Sequence, residues 1–287
     1  MTRPLISALE LKQLLSTDKL VVIDTRDADS YATGHIPGAV NIHDIFTYLA
    51  TSTAEGIAEL RDKFAGSFGA AGLDGEKTAV IYESAMDTGF GQSCRGYFLL
   101  EYLGYPKISV LHGGYGAWLA AELPVSNDVP SPAAAQFPLS EHKESIMADT
   151  EAVKAALGDG QTVLLDVRDV DEWVGESSSP YGKDFCPRMG RLPNAVWIEW
   201  YRMMKPTASG AMMKSKTELL AECASVGITP ASKVIIYCFK GARASNTYLA
   251  LKEAGVDDVS IYFGSWNEWS RDPSLPIEEG PPFAIAA

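Results

Sequence analysis

The chain has 287 residues, 46% of them hydrophobic, and a formal net charge of −13. That acidity excludes nucleic acid as the main partner, since phosphate binding needs a basic face, but a local positive pocket still takes a small anion. No apolar run is long enough to span a bilayer, residues 1–20 lack the apolar block of a secretory leader, and four scattered cysteines fit neither a disulfide framework nor a zinc site, so a cytoplasmic protein without membrane contact is expected.

In chain order, Ser7 and Glu10 form a capping-box pair, which predicts a helix to about Ser16. An apolar strand follows at 20–23 and ends in Asp24-Thr25-Arg26. The turn residues of Gly34-His35-Ile36-Pro37-Gly38-Ala39 run into another strand, then come a helix over 56–68 and a strand over 77–82. Residues 89–104 read as a loop and helix, and 108–111 as a strand before Gly113-Gly114-Tyr115-Gly116-Ala117-Trp118.

The pattern then restarts. Asp149 takes the capping place of Ser7, and Asp166-Val167-Arg168 echoes Asp24-Thr25-Arg26, both 142 positions on. Gly190 echoes Gly34 at an offset of 156, so the second copy holds a 14-residue insertion between Gly175 and Arg188. Trp118 pairs with Trp269, and Leu123-Pro124-Val125 with Leu275-Pro276-Ile277, at offsets of 151 to 152. A period of this size is a domain. The alternation of strands and helices predicts two tandem α/β domains, each a parallel sheet with helices on both faces: 1–125, a linker at 126–145 rich in Pro, Ser and Ala toward its start, and 146–287.

The most informative stretch is Lys233–Tyr237 followed by Cys238-Phe239-Lys240-Gly241-Ala242-Arg243. A β-branched strand ends in a cysteine, a short loop follows, and helical spacing at Ala244, Tyr248 and Leu251 runs to a terminating Gly255. Cys238 therefore sits at the carboxyl edge of a strand, where open α/β sheets place ligands. Loop amides and the helix dipole behind them favour an anion there, and an anion is what a nucleophilic cysteine becomes.

These residues together resemble the two-domain rhodanese-type sulfurtransferases. The markers are Asp24-Thr25-Arg26 with the Gly34–Ala39 turn, Asp166-Val167-Arg168, the loop at Cys238, and Gly264-Ser265-Trp266 with Trp269 ahead of Pro276. The resemblance covers essentially the whole chain. It implies a five-stranded parallel sheet per domain and a catalytic site in the C-terminal half. It also implies a Cys238 thiolate that takes the outer sulfur of thiosulfate and passes it, as a persulfide, to cyanide or another thiophilic acceptor, without metal or organic cofactor. The N-terminal copy is expected to be inactive. Glu83 stands where Cys238 stands, and its longer following loop is expected not to converge its amides on one atom.

Within the loop, Lys240 matches the lysine of thiosulfate-using members, and Phe239 departs from their pattern. Four residues separate Cys238 from Arg243, one fewer than in related dual-specificity phosphatases, which argues against phosphoryl chemistry. Two roles stand for Arg243, tying the loop to Asp166 or contacting substrate. Arg168 and Arg191 are expected to offer positive charge to the donor, with Asp166 as a bracing acceptor. The arginine of mercaptopyruvate-using members falls at Glu172, which disfavours that donor, and Arg188 is a candidate substitute. Cys94 and Cys223 read as inert buried thiols. Cys186 is either a plain loop residue or a second thiol within reach of Cys238. His142 is the one histidine in this half, leaving a Cys-His protease pair without support. Partners implied are a small anionic sulfur donor and a thiophilic acceptor, with a 3-mercaptopyruvate enzyme or a persulfide carrier serving a protein thiol as the alternatives.

Overall fold

The computed structural model describes residues 3–139 and 144–282; His142 lies outside the described residues. In the first half, β1 (Leu5–Ile6), β2 (Leu20–Asp24), β3 (Val40–Asn41), β4 (Thr78–Tyr82) and β5 (Ile108–Leu111) form one sheet in the order β1-β5-β4-β2-β3. In the second half come β6 (Met147–Ala148), β7 (Thr162–Asp166) and β8 (Val196–Trp197), then β9 (Met204–Thr207) and β10 (Gly210–Met213), then β11 (Lys233–Tyr237) and β12 (Val259–Tyr262). Five of these form a second sheet in the order β6-β12-β11-β7-β8. Every pairing within the two sheets is parallel. The strands and helices therefore repeat as two five-stranded α/β domains.

The division into compact units is not a single cut. One unit comprises Met1–Tyr48, Ile57–Glu144 and Met204–Met213; the other comprises Leu49–Gly56, Ser145–Met203 and Lys214–Ala287. The antiparallel β9–β10 hairpin thus packs with the first unit, where the Met213 amide donates to His112 Nε2 at 2.9 Å. Sequence reasoning misses this hairpin, because Pro206 and Gly210 interrupt any strand pattern. The described part of the Pro-, Ser- and Ala-rich stretch has no helix, and Phe137 anchors it against Phe68 and Tyr105.

Local signals form the elements. Ser7 and Glu10 complete their capping box at the helix Ala8–Leu14, and Asp149 caps Thr150–Asp159 through the Ala152 amide. The helix expected over 56–68 runs Ala54–Ala70. Trp118 and Trp269, both fully buried, donate their indole N–H to the carbonyls of Pro124 and Pro276 and so close each domain in the same way. Among the described residues, no helix is long and apolar enough to cross a membrane.

The repeat is closest at the carboxyl edge of the sheets. Asp166, at the end of β7, lies beside Tyr237 at the end of β11. Its carboxylate accepts from the Tyr237 hydroxyl at 2.6 Å and from the Arg168 backbone, Nε and Nη2, while Nη2 also reaches the Gly190 carbonyl at 2.8 Å. Asp24, Tyr82, Arg26 and Gly34 make the same network in the first domain. The Arg168 guanidinium also lies over Trp266, 4.5 Å from the ring centroid.

A buried carboxylate keeps its charge only when matched by donors and an opposite charge. Arg168→Ala, which leaves Asp166 with the Tyr237 hydroxyl and the residue-168 amide but no opposite charge, is expected to cost about 3–5 kcal/mol of stability. Urea unfolding monitored by tryptophan fluorescence measures this, and a loss below about 1 kcal/mol would show that the network is not a structural brace.

Candidate active site

Cys238 follows β11 directly, and the helix Ala242–Ala254 begins four residues later. Only Phe239, Lys240 and Gly241 separate them, so the chain must reverse sharply. Gly241 does this at φ +88°, a left-handed conformation, with a Cβ there lying only 2.9 Å from the Phe263 ring. The turn brings the Gly241 amide back onto Cys238, where it donates to Sγ at 3.1 Å. The Cys238 amide donates to Ser265 Oγ at 3.2 Å, and that hydroxyl donates to the Tyr262 carbonyl at 2.7 Å. The amides of Trp266 and Asn267 take the carbonyls of Cys238 and Phe239 at 3.1 and 3.0 Å. The Gly264-Ser265-Trp266 marker therefore holds the loop from below. Cys238 is 1% exposed, at the bottom of this cradle.

Charge around the loop differs from what the sequence suggests. Arg243 does not reach Asp166. Its guanidinium pairs with both Glu172 oxygens, at 2.6 and 3.0 Å, and with Asp169 at 3.1 Å. Burial opposes its charge, but Glu172 first, then Cys238 and Asp169, more than offset this and hold Arg243 above its ordinary value. Arg168 binds Asp166 and Gly190 through Nε and Nη2, its buried Nη1 having no hydrogen-bond partner, and Arg191 binds the carbonyls of Gly280 and Trp173 and pairs with Glu278 at 3.2 Å. Arg188 binds the carbonyls of Trp269, Ser270, Asp272 and Leu275. Arg168, Arg191 and Arg243 are thus all buried and paired with carboxylates: Arg168 with Asp166, Arg191 with Glu278, and Arg243 with Glu172 and Asp169. Lys240 is buried as well; it lies within the loop itself, with its Nζ 4.9 Å from the Tyr181 ring centroid.

The insertion places aromatic residues on the loop, a contact that sequence reasoning missed. The rings of Tyr181 and Phe185 meet Phe239 edge-on at 5.3 and 5.6 Å between centroids. Cys186 is buried behind them, its Sγ 3.9 Å from Asn267 Oδ1, and burial pushes its thiol up. Cys94 and Cys223 lie buried in helices, and burial pushes Cys223 up to about 11.

The first domain carries the matching site with a different content. Eight residues, 84–91, separate Glu83 from its helix Gln92–Tyr102, against three in the second domain. The longer loop was expected to leave its amides unfocused; the Glu83 carboxyl is held instead from the start of the following helix. The Gln92 amide donates to Oε2 at 2.9 Å and the Ser93 hydroxyl to Oε1 at 2.7 Å. A Cβ on Gly89 would lie 2.1 Å from Oε2, so the loop closes tightly over the side chain. The extra length gives room for a carboxylate where the short loop holds one sulfur. A cavity of about 460 Å³ in this domain lies elsewhere, lined by Asn41, His43, Asp44, Ser67 and Pro132 among others.

Residues 7–121 and 149–272 both match the rhodanese-like domain. The chain belongs to the rhodanese-like family. A thiosulfate sulfurtransferase of Azotobacter vinelandii is 32% identical over 95% of this chain and 96% of that protein. The sulfur carrier protein TtuD of Thermus thermophilus is 28% identical over 96% of both. Among solved structures, the anaerobic ergothioneine biosynthesis enzyme of Chlorobium limicola, in complex with trimethyl histidine, superposes with a TM-score of 0.82. It is 27% identical, with 97% of this chain and 71% of that one covered. These rhodanese-like relatives support the sulfurtransferase class.

Burial pushes the Glu83 carboxyl up to about 8, although Ser93 and the loop amides pull the other way. The folded chain then keeps a proton that the unfolded chain releases near 4.5, so this group's stabilisation is complete below that pH and fades as pH rises toward 8. Glu83→Gln is expected to flatten the fall of the unfolding midpoint across that window, measured by thermal melts in buffers of matched ionic strength. An unchanged pH profile would show that Glu83 enters the folded state ionised.

Proposed function

We propose that the chain is a sulfurtransferase that takes sulfane sulfur from thiosulfate onto Cys238 and delivers it to cyanide or another thiophilic acceptor. The observation that carries this reading is a buried cysteine at a strand's carboxyl edge, its Sγ accepting the Gly241 amide, with Lys240 inside the same short loop. In the first step the Cys238 thiolate attacks the outer sulfur of thiosulfate. The Sγ–S bond forms, the S–S bond of the donor breaks, and sulfite leaves with the electron pair. In the second, the acceptor attacks the outer sulfur of the persulfide and the thiolate departs. Thiolate and persulfide are both anions, and the amide directed at Sγ favours each of them.

Lys240 is assigned to the sulfonate end of the donor, where a cation offsets charge as the dianion nears the nucleophile. Phe239, Gly241 and Ala242 shape the loop. Asp166 with Arg168, and Glu172 with Arg243, hold it in place, and Arg191 ties the neighbouring segment. Glu172 disfavours 3-mercaptopyruvate as donor, because it puts a carboxylate where enzymes using that donor carry an arginine. A second reading shares the persulfide but ends on a protein thiol. It is favoured by the resemblance to the sulfur carrier TtuD over nearly the whole chain. Four buried thiols suit a reducing compartment such as the cytoplasm.

Intact mass after incubation with thiosulfate is expected to show one added sulfur, lost with Cys238→Ser and retained with Cys94→Ser or Cys223→Ser. Sulfur gain by the Cys238 variant would move the site elsewhere. Lys240→Ala is expected to raise KM for thiosulfate about tenfold or more, and to affect the monoanionic donor methanethiosulfonate less. Equal losses on both donors would remove the anion-docking role. Transfer rates from the loaded protein to cyanide and to a protein thiol separate the two acceptor readings.

A further inference from the structure

The insertion that distinguishes the second domain is a built loop rather than a loose excursion. The Cys186 amide donates to Ser178 Oγ at 2.9 Å, the Ser178 amide to the Lys183 carbonyl at 2.9 Å, and the Tyr181 amide to Ser179 Oγ at 3.0 Å. Arg188 then fixes the far end to four carbonyls. This scaffold presents Tyr181 and Phe185, which are 49% and 46% exposed, while Phe239 beneath them is 1% exposed. Each upper ring thus gives one side to the catalytic loop and the other to solvent.

The Tyr181 ring makes a second contact, with the Lys240 Nζ at 4.9 Å from its centroid. A lysine stem loses rotamer freedom when it is fixed, a cost that a donor must otherwise offset when it docks. A ring attracts an ammonium electrostatically without neutralising it, as a carboxylate would. Tyr181 is itself held against Phe239, the residue between the nucleophile and the lysine, so nucleophile and cation are placed by one cluster.

Resting on the reading of Cys238 as the sulfur carrier, we infer that Tyr181 is a positioning residue that orients Lys240, and that the insertion thereby sets the preference for doubly charged sulfur donors. Its action goes through Lys240, so the two residues are energetically coupled, and the coupling depends on the ring rather than the hydroxyl.

A double-mutant cycle tests this, with the rate of sulfur gain at Cys238 measured for thiosulfate and for methanethiosulfonate. Tyr181→Leu is expected to raise KM for thiosulfate about three- to tenfold with kcat within about twofold, and to change methanethiosulfonate less. Tyr181→Phe is expected to behave as the unsubstituted protein, and Tyr181→Leu to add less than about a twofold change in the Lys240→Ala background. Equal losses with and without Lys240, equal losses on the two donors, or a Tyr181→Phe variant as impaired as Tyr181→Leu would each overturn the inference while leaving sulfur loading intact. No sulfur gain by the unsubstituted protein from either donor would instead remove the proposed function, and this inference with it.

Discussion

A carboxylate withdrawn from water at the end of a parallel strand is the constraint on which each domain is built. Asp24 and Asp166 are fully buried, and each is matched by an arginine two residues on and by the tyrosine that ends the adjacent strand. That tyrosine hydroxyl in turn accepts an amide from the turn after the strand, Ile36 in one domain and Leu192 in the other. One acidic group thereby fixes two strand ends and the returning chain. The position after the tyrosine, Glu83 or Cys238, inherits that placement.

The second domain adds a further ion pair above the first. Arg243 is buried against Glu172 and Asp169, so the helix behind Cys238 is anchored by matched charge. A buried guanidinium left unmatched would be costly, and one matched by two carboxylates is poorly suited to accept a third anion.

The two halves show how one backbone arrangement serves two contents. In the first, the Gln92 amide and the Ser93 hydroxyl, at the start of the helix, hold the chain's own Glu83 carboxyl. In the second, a loop five residues shorter closes on a sulfur atom. In both, the helix after the last strand reaches the carbonyl of the central residue, through Tyr115 onto Glu83 and Trp266 onto Cys238. The same backbone arrangement surrounds a carboxyl group in one domain and a sulfur atom in the other.

The duplicated architecture, the strands and the place of Cys238 were determined by sequence, because apolar period, capping residues and turn glycines are local signals repeated at matched offsets. The brevity of the Cys238 loop was equally legible, since residue counting sets how far a turn can spread. Tertiary structure alone decided which cations are committed. Arg168, Arg188, Arg191 and Arg243 look alike in sequence, and only the acceptors brought beside them by folding tell them apart. It also decided that Glu83 is gripped by its loop, that the β9–β10 hairpin packs with the first unit, and that the insertion lays Tyr181 and Phe185 on Phe239. Each of these depends on contacts between residues far apart in the chain, where no local pattern records which side chain meets which.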